Sequence, residues 1–289
     1  MNRKVRATTH GAISIVNAIA TGKGSALGIS LKVTAEIQLE EGGQGIRFQT
    51  RRMDNELVNN IVYSTIPNDV MENNLVSICI ESEIPWGYGL KSSSSVSNAL
   101  ALACCKLVNP NVDDYTVLEI AVQASLDSHV TITGAYDDAT ACYFGGFVLT
   151  DNYAHRLIRR EEAPDDLHAI ILLPNESSRR RRNNINKLTI MSDLFIDAFK
   201  LAERGKYWKA MKLNGVLAST ALSMKYEPIL AALKNGALGA TLSGNGPSIA
   251  AVAYKHQIEN IKSTFAKFNG YILVSKINNQ KASVEEIIG

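Results

Sequence analysis

Residues 84–110 read IPWGYGLKSSSSVSNALALACCKLVNP. Four consecutive serines stand between a glycine pair and a segment in which apolar residues recur every three or four positions. That spacing predicts a helix over residues 95–108, which ends at Asn109-Pro110. A flexible linker would not be followed at once by a core helix, so the serines belong to a turn between a strand and this helix.

The same turn has the features of an anion-binding site. Ser92–Ser95 are expected at the first turn of the helix, where free backbone N–H groups and the positive end of the helix dipole point outward. Gly87 and Gly89 allow close backbone approach, and Lys91 adds a positive charge. Simple N-capping needs only one serine, so four serines after the glycines favour phosphate binding over capping alone. The order of residues is not that of a Walker A loop.

Composition narrows the class of protein. The 289 residues are 46% hydrophobic and carry a formal net charge of +2, which is ordinary for a soluble globular protein. Near-neutrality gives no global argument for binding nucleic acid, and no stretch approaches the roughly 18 consecutive apolar residues of a membrane span. The four cysteines show neither a CxxC pattern nor metal spacing with the histidines. A reduced, cytoplasmic protein without nucleic-acid or membrane partners is expected.

Periodicity along the chain predicts an α+β protein. A β-hairpin is expected over residues 30–52, because apolar and polar residues alternate on both sides of a Glu-Gly-Gly turn. The charged segment 159–166, which contains a proline, is expected to be a domain junction. The other expected strands are 12–20, 75–85, 145–151, 167–174 and 270–277, with a strand, glycine turn and strand over 236–255. The other expected helices are 113–130, 188–204, 206–224, 227–235 and 257–268.

Two adjacent aspartates form a second candidate site. Asp137 and Asp138 lie among small and apolar residues, between Gly134 and the pair Gly145-Gly146. In phosphoryl transfer one carboxylate orients or deprotonates the attacking hydroxyl, and another holds Mg²⁺. Alternatively, the acidic pair simply caps a short helix that follows it. The local sequence supports both interpretations equally.

A glycine-rich turn forms the third candidate, in TLSGNGPSIAAV over residues 241–252. A tight β-turn without further function is the commoner role of Gly-Asn-Gly. Two glycines together with Ser243 and Ser248 can equally let a backbone approach phosphates or close over a substrate.

Taken together and in this order, the three stretches resemble the GHMP kinase superfamily. The family's phosphate loop, P-x-x-x-G-L-x-S-S, is similar to residues 85–93, and its glycine-rich third motif is similar to residues 243–248. Residues 10–31 resemble the first motif, and residues 72–76 resemble the stretch before the phosphate loop. The resemblance implies a two-domain α+β fold. An N-terminal ribosomal protein S5-like α/β domain over 1–160 would bind ATP, and a C-terminal ferredoxin-like α+β domain over 161–289 would complete the substrate cleft.

Within the superfamily, TGKGSALGI, GLKSSSSVSNA and TGAYDDA most resemble the archaeal type of shikimate kinase. This resemblance implies transfer of the γ-phosphate of ATP to the 3-hydroxyl of shikimate, by a monomer or homodimer. Homoserine kinase or another GHMP small-molecule kinase is the enzymatic alternative. A non-catalytic nucleotide- or RNA-binding protein is the alternative from another class, but it would have no use for Asp127, Asp137 and Asp138.

The resemblance also implies roles for individual residues. Asp138 is expected to be the catalytic aspartate, with Asp137 as its rival, and Ser93 and Asp127 are expected to bind Mg²⁺. The residues expected to bind ATP are Pro85, Gly87, Gly89, Leu90, Lys91, Ser92, Ser93, Ser94, Ser95 and Asn74. Those expected to bind the substrate are Gly134, Arg179, Arg180, Ser243, Gly244, Asn245 and Gly246.

Two features allow more than one interpretation. Many family members carry a lysine in the first motif, where this chain has His10-Gly11-Ala12-Ile13. Either the aspartate and the metal carry more of the catalysis, or Lys91 supplies the charge. The run Arg179–Arg182 is either solvated or a patch that attracts RNA. Because guanidinium groups bind carboxylates in bidentate geometry, one or two of these arginines are expected to face the cleft.

Overall fold

The chain forms two β-sheets and the helices that cover them. The computed structural model describes residues 3–49, 55–175 and 186–288. Its strands are β1 (Arg3–Val16), β2 (Lys23–Glu41), β3 (Ile46–Phe48), β4 (Asn74–Ser82), β5 (Phe147–Asp151), β6 (Arg156–Glu161), β7 (Leu167–Pro174), β8 (Gly239–Leu242), β9 (Ile249–Tyr254), β10 (Gly270–Lys276) and β11 (Ser283–Ile288). Its α-helices are α1 (Asn55–Thr65), α2 (Asn68–Asn73), α3 (Ser92–Val108), α4 (Asp114–Asp127), α5 (Tyr136–Phe144), α6 (Asn186–Thr189), α7 (Ser192–Glu203), α8 (Tyr207–Ala221), α9 (Glu227–Lys234) and α10 (Ile258–Phe265).

Strand β2 organises the first sheet. It has 19 residues, of which Ser25–Gln38 pair along one edge with β1, which is antiparallel to it. Along the other edge, Val33–Glu41 pair with β4 and Lys23–Leu27 pair with β5. The sheet therefore runs in the order β11-β1-β2-β4-β3, and β5 and β6 extend it at the other end of β2.

The prediction of a β-hairpin over residues 30–52 is wrong. After β2 the chain does not return beside it, and β3 instead pairs in parallel with β4, from Ile46↔Val76 to Phe48↔Ile78. The edge of β2 that a hairpin would use is occupied by β4 across nine residue pairs. Alternation of apolar and polar residues indicates a half-buried strand but does not identify its partner.

The second sheet has the order β10-β7-β9-β8, and every pair of neighbours in it is antiparallel. The glycine turn predicted from the sequence connects β8 to β9. Along the chain, β6 belongs to the first sheet and the next strand, β7, belongs to the second. The last strand, β11, then returns to the first sheet and pairs with β1.

Helix α3 lies at the centre of the first half of the fold. It contacts both long strands and the helices α1, α4 and α5, and the apolar positions of its three- and four-residue repeat are buried. Helix α4 starts as expected, since the Asp113 carboxylate accepts hydrogen bonds from the backbone N–H groups of Tyr115 and Thr116. None of the helices in the described ranges is long and apolar enough to cross a membrane. The predicted α+β class is confirmed, although α1, α2, β6 and β11 were not expected.

An aromatic stack joins β5 of the first sheet to α8 of the second half. The rings of Phe147 and Tyr207 are 4.0 Å apart and nearly parallel, at 4°. The Tyr207 hydroxyl donates to Glu161 Oε2 at 2.6 Å and accepts from Arg159 Nη2 at 3.2 Å. Burial raises the pKa of Tyr207 to about 12, so the hydroxyl stays neutral. The stack supplies buried ring area, and the hydroxyl supplies two polar contacts.

We expect Phe147→Ala to lower the free energy of unfolding by about 3–5 kcal/mol, because it removes a buried ring and leaves a cavity. Tyr207→Phe keeps the stack and loses only the hydroxyl bonds, so about 1 kcal/mol is expected. Guanidinium unfolding of both variants measures the difference. Equal losses would contradict a larger contribution from the ring of Phe147 than from the hydrogen bonds of the Tyr207 hydroxyl.

Candidate active site

The three stretches singled out in the sequence meet around one cleft of about 560 Å³. The serine turn, the start of α5, the loop before it and the glycine turn each contribute part of the wall. The expected site residues that line the cleft are Gly87, Gly89, Lys91, Ser92, Ser93, Ser94, Gly134, Asp137, Asp138, Gly244, Asn245 and Gly246. Residues more than 150 positions apart in the chain therefore share one site.

The serine turn presents the free end of a helix to this cleft. Helix α3 begins at Ser92, and the preceding residue, Lys91, has a left-handed φ of 66°. The first helical hydrogen bond runs from the N–H of Ser95 to the carbonyl of Lys91, at 2.9 Å. The N–H groups of the three preceding serines therefore have no partner within the helix, and such groups bind phosphate.

Ser95 differs from the other three serines. Its side chain is fully buried, and its hydroxyl lies 2.8 Å from Thr9 Oγ1 on β1. The Thr9 hydroxyl in turn donates to the Ser95 carbonyl at 2.7 Å. The structure thus places Ser95 in the packing between α3 and β1, outside the cleft, while Ser92, Ser93 and Ser94 line it.

The glycine turn packs directly against the serine turn. Gly89 has a φ of +77°, and a Cβ added there would lie only 2.1 Å from the carbonyl oxygen of Ser243. The Ser243 hydroxyl donates to the Gly89 carbonyl at 2.8 Å, and the Ser248 hydroxyl donates to the Tyr88 carbonyl at 2.6 Å. The glycine turn is therefore more than an isolated β-turn: Ser243 packs against the serine turn, and Gly244, Asn245 and Gly246 line the cleft.

Lys91 connects the serine turn to the acidic pair. Its Nζ lies 2.8 Å from Asp138 Oδ1, and its side chain is only 6% exposed. Nζ also donates to Ser14 Oγ at 3.0 Å, and Ser14 Oγ accepts from the Gly244 N–H at 2.9 Å. Burial disfavours the charged ammonium, yet the carboxylates of Asp138 and Asp137 outweigh this effect and raise the pKa of Lys91. The ammonium therefore remains charged beside the aspartate.

Asp137 occupies a different environment from Asp138, although both lie in the first turn of α5. Asp137 is 4% exposed, and its Oδ1 accepts from Asn152 Nδ2 at 2.8 Å. Its carboxyl group also lies against Gly24, where an added Cβ would come within 2.6 Å. Burial, and then repulsion by Asp138, raise the pKa of Asp137 to about 7. Of the two interpretations of the acidic pair, capping is wrong, because the residue before α5 is Ala135 and no side chain makes a capping hydrogen bond there. Both acids line the cleft from the first turn of α5.

Several polar residues at this site were not predicted from the sequence, among them Ser14, Asn17 and Asn152. Ser14 and Asn17 line the cleft from the end of β1 and the residue after it, and Asn152 holds Asp137 from the turn after β5. Asn17 Nδ2 donates to the Gly244 carbonyl at 3.2 Å and so supports the glycine turn. For Ser14 and Asn17 the signal was an isolated polar residue within the apolar run AISIVNAIA over residues 12–20, whereas Asn152 follows Thr150-Asp151 and had no such signal.

Several expected site residues are not brought to the cleft. Asp127 is exposed, accepts from Gln123 Nε2 at 2.8 Å, and lines a separate surface depression of about 230 Å³. Asn74 donates to the Val70 carbonyl at 2.8 Å, where it supports the turn between α2 and β4. Leu90 is fully buried in the core, and Pro85 is absent from the cleft lining among the described residues. Arg179 and Arg180 lie outside the described residues.

Comparison with known proteins identifies the family. The family model of the GHMP kinases N terminal domain matches residues 58–146, and that of the GHMP kinases C terminal matches residues 209–270. The chain belongs to the GHMP kinase family, as the motifs of the sequence predicted.

The relatives include archaeal proteins named shikimate kinase. The protein from Methanothrix thermoacetophila is 38% identical over 276 residues, which cover 96% of this chain and 94% of the relative. The protein from Pyrococcus furiosus is 39% identical over 272 residues, which cover 91% of this chain and 96% of the relative. The matches extend over nearly the full length of both partners.

Solved structures show the same fold. A homoserine kinase from Cytophaga hutchinsonii superposes with a TM-score of 0.76 at 20% identity and covers 98% of this chain and 97% of its own. The mevalonate kinase of L. major in complex with R-mevalonate has a TM-score of 0.73 at 16% identity and covers 96% of each chain. The expected GHMP kinase fold is therefore confirmed.

We expect Asp137→Asn to stabilise the protein more at pH 8 than at pH 5. A carboxyl whose pKa rises from 3.8 to about 7 on folding lowers stability progressively as pH rises through that interval, because the unfolded chain ionises first. The amide introduced by Asp137→Asn keeps the hydrogen bond from Asn152 but does not ionise, so its contribution to stability does not change with pH. One pKa unit corresponds to about 1.4 kcal/mol, so a gain of roughly 1–3 kcal/mol between the two pH values is expected in guanidinium unfolding.

Asp138→Asn is the matched control for this measurement. It leaves the buried Lys91 ammonium without its closest carboxylate, so we expect it to destabilise the fold at both pH values. An Asp137→Asn variant whose stability follows that of the wild type at both pH values would contradict the raised pKa.

Proposed function

We propose that this chain transfers the γ-phosphoryl group of ATP to the 3-hydroxyl of shikimate. The observation that carries the proposal is the contact of 2.8 Å between Lys91 and Asp138 at the open N-terminus of α3. It joins a phosphate-binding turn to a carboxylate that can receive a proton. The choice of shikimate is supported by relatives named shikimate kinase that are 38% and 39% identical to this chain.

Phosphoryl transfer requires positioning and charge neutralisation more than covalent participation by the protein. The N–H groups and hydroxyls of Ser92–Ser94 are placed to bind the phosphates, and the Lys91 ammonium neutralises charge that develops on the transferred group. The substrate hydroxyl oxygen attacks the γ-phosphorus, the bond to the β,γ-bridging oxygen breaks, and ADP leaves. Asp138 accepts the hydroxyl proton. Lys91 thus supplies the charge that the first motif lacks.

The serine turn also fits a magnesium ion. Mg²⁺ keeps several waters and takes one or two protein ligands together with substrate phosphates. The Ser93 hydroxyl lines the cleft, and its carbonyl accepts a bond from the Ser97 hydroxyl at 3.0 Å, which fixes the residue in the first turn. When bound, Mg²⁺ would neutralise phosphate charge. Asp127 has no part in this proposal, because it lies outside the cleft.

The remaining wall of the cleft suits a small polyhydroxylated acid. Thr131, Thr133 and Asn245 line the cleft with hydroxyl and amide groups, and such groups bind sugar-like hydroxyls. The carboxylate of shikimate requires a cation. Arg179 and Arg180 remain the prediction for that role, and they lie outside the described residues.

Steady-state assays with Mg-ATP test the substrate. Shikimate, homoserine and mevalonate are each offered to the purified protein, and ADP release is measured together with the phosphorylated product. We expect kcat/KM for shikimate to exceed that for the other two by at least about 10³-fold, since a site built to bind several hydroxyls leaves polar groups unpaired with a poorer substrate. If the protein prefers homoserine, homoserine replaces shikimate as the proposed substrate, and the kinase assignment stays. Tight RNA binding with a steep salt dependence and no turnover would favour the non-catalytic alternative.

We expect variants of the Lys91–Asp138 pair to separate chemistry from binding. Asp138→Asn should lower kcat by about 10²–10⁴-fold, because the proton acceptor is lost, while calorimetry shows ATP binding within about threefold of the wild type. Lys91→Met removes the charge and keeps the length of the side chain, so it should lower kcat and also weaken ATP binding. An Asp138→Asn enzyme with nearly normal kcat would contradict the assignment.

A further inference from the structure

A buried carboxamide reaches the acidic pair from outside the three motifs. Asn152 follows β5 and is fully buried. Its Nδ2 donates to Asp137 Oδ1 at 2.8 Å, and its Oδ1 accepts from the backbone N–H of Asp137 at 3.1 Å. One side chain therefore binds both the backbone and the carboxyl group of an aspartate in the first turn of α5.

The surroundings fix both the amide and the carboxyl group. The Thr150 hydroxyl donates to Asn152 Oδ1 at 2.7 Å, and the backbone N–H of Asp137 can only donate to it. Oδ1 therefore faces two donors, which leaves Nδ2 for the carboxylate. On the other side of Asp137, Gly24 leaves no room for even a methyl group. The Asp137 carboxyl group is thus confined between β2 and the turn after β5.

We propose that Asn152 is a positioning residue that holds the Asp137 carboxylate beside Asp138 and favours its charged form. The proposal rests on the phosphoryl transfer proposed above. An amide N–H that donates to a carboxylate stabilises the anion. When the proton leaves the substrate hydroxyl, a negative charge at Asp137 attracts it toward the acidic pair. Asn152 therefore acts on the reaction through Asp137, without touching the substrate.

The other groups that face Asp137 set the direction of the expected change. They are the Asp138 carboxylate, the Lys91 ammonium and the Cys142 thiol, whose pKa burial raises well above its ordinary value. Burial and Asp138 raise the pKa of Asp137, whereas Lys91 and the Asn152 bond oppose that rise. Removal of the amide therefore moves ionisation of Asp137 to higher pH.

The test is the dependence of kcat on pH between 5.5 and 9 in Asn152→Ala. We expect the acid limb of the pH profile to move up by about one pH unit and kcat at pH 7 to fall about fivefold, with KM for ATP within about twofold. Thr150→Val keeps the carboxamide and removes one of its anchors, so it should shift the limb less, in the same direction. This milder variant also provides the test if Asn152→Ala folds poorly.

Asn98→Ala is the matched control. Asn98 is equally buried, and its Nδ2 donates at 2.8 Å to the Ala139 carbonyl, a backbone group of the same helix α5. Its loss should lower stability and leave the acid limb in place. An equal shift of the limb in Asn98→Ala would overturn the proposal, because general loosening of α5 would then explain the effect.

A readout without turnover separates this proposal from the proposed function. Titration of aspartate carboxyl carbons by ¹³C NMR, assigned with Asp137→Asn, should show the Asp137 midpoint at higher pH in Asn152→Ala than in the wild type. If both the NMR midpoint and the acid limb stay unchanged, the positioning role is overturned. A wild-type protein that phosphorylates no acceptor overturns the proposed function instead, and the NMR midpoint alone then decides whether Asn152 holds the carboxylate.

Discussion

A lysine ammonium can be buried only where acids and hydrogen-bond acceptors meet its charge, and this constraint governs the fold at Lys91. Its side chain, 6% exposed, lies between the Asp138 carboxylate and the Ser14 hydroxyl. Ser14 also accepts the N–H of Gly244. One cation therefore ties together β1, α3, α5 and the glycine turn. Removal of any of these contacts leaves a buried charge less well paired, so the four elements are held in one arrangement.

The same constraint accounts for an unfavourable backbone conformation. A residue other than glycine at a φ of 66° costs about 1–2 kcal/mol, yet Lys91 adopts this conformation immediately before α3. A glycine would adopt it freely but would bring no charge to the cleft. The left-handed conformation lets one residue begin the phosphate-binding helix and also pair with Asp138. The strain is offset by the ion pair and lies where the chemistry is proposed to occur.

The sequence predicted those parts of the fold that local periodicity determines. Helix α3 and its serine turn were predicted because three- and four-residue spacing needs no knowledge of distant partners. The same spacing, continued backwards from Ala99 and Leu102, would have placed Ser95 on the buried side of the helix. Helix α1 also carried a readable signal, in the buried positions Leu57, Val58, Ile61 and Val62. The partner of β2 could not be predicted, because strand pairing across more than 30 residues depends on the whole sheet.

The choice between Asp137 and Asp138 shows where local sequence reaches its limit. Adjacent residues on a helix point about 100° apart, so two identical acids enter different surroundings that only the tertiary structure supplies. Asp138 meets a cation at the cleft, whereas Asp137 meets a buried amide and a glycine. This asymmetry assigns different roles to chemically identical groups. Asp138, which is paired with Lys91 at the cleft, is placed to receive a proton, and the enclosed Asp137 is placed to shape the field in which the proton moves.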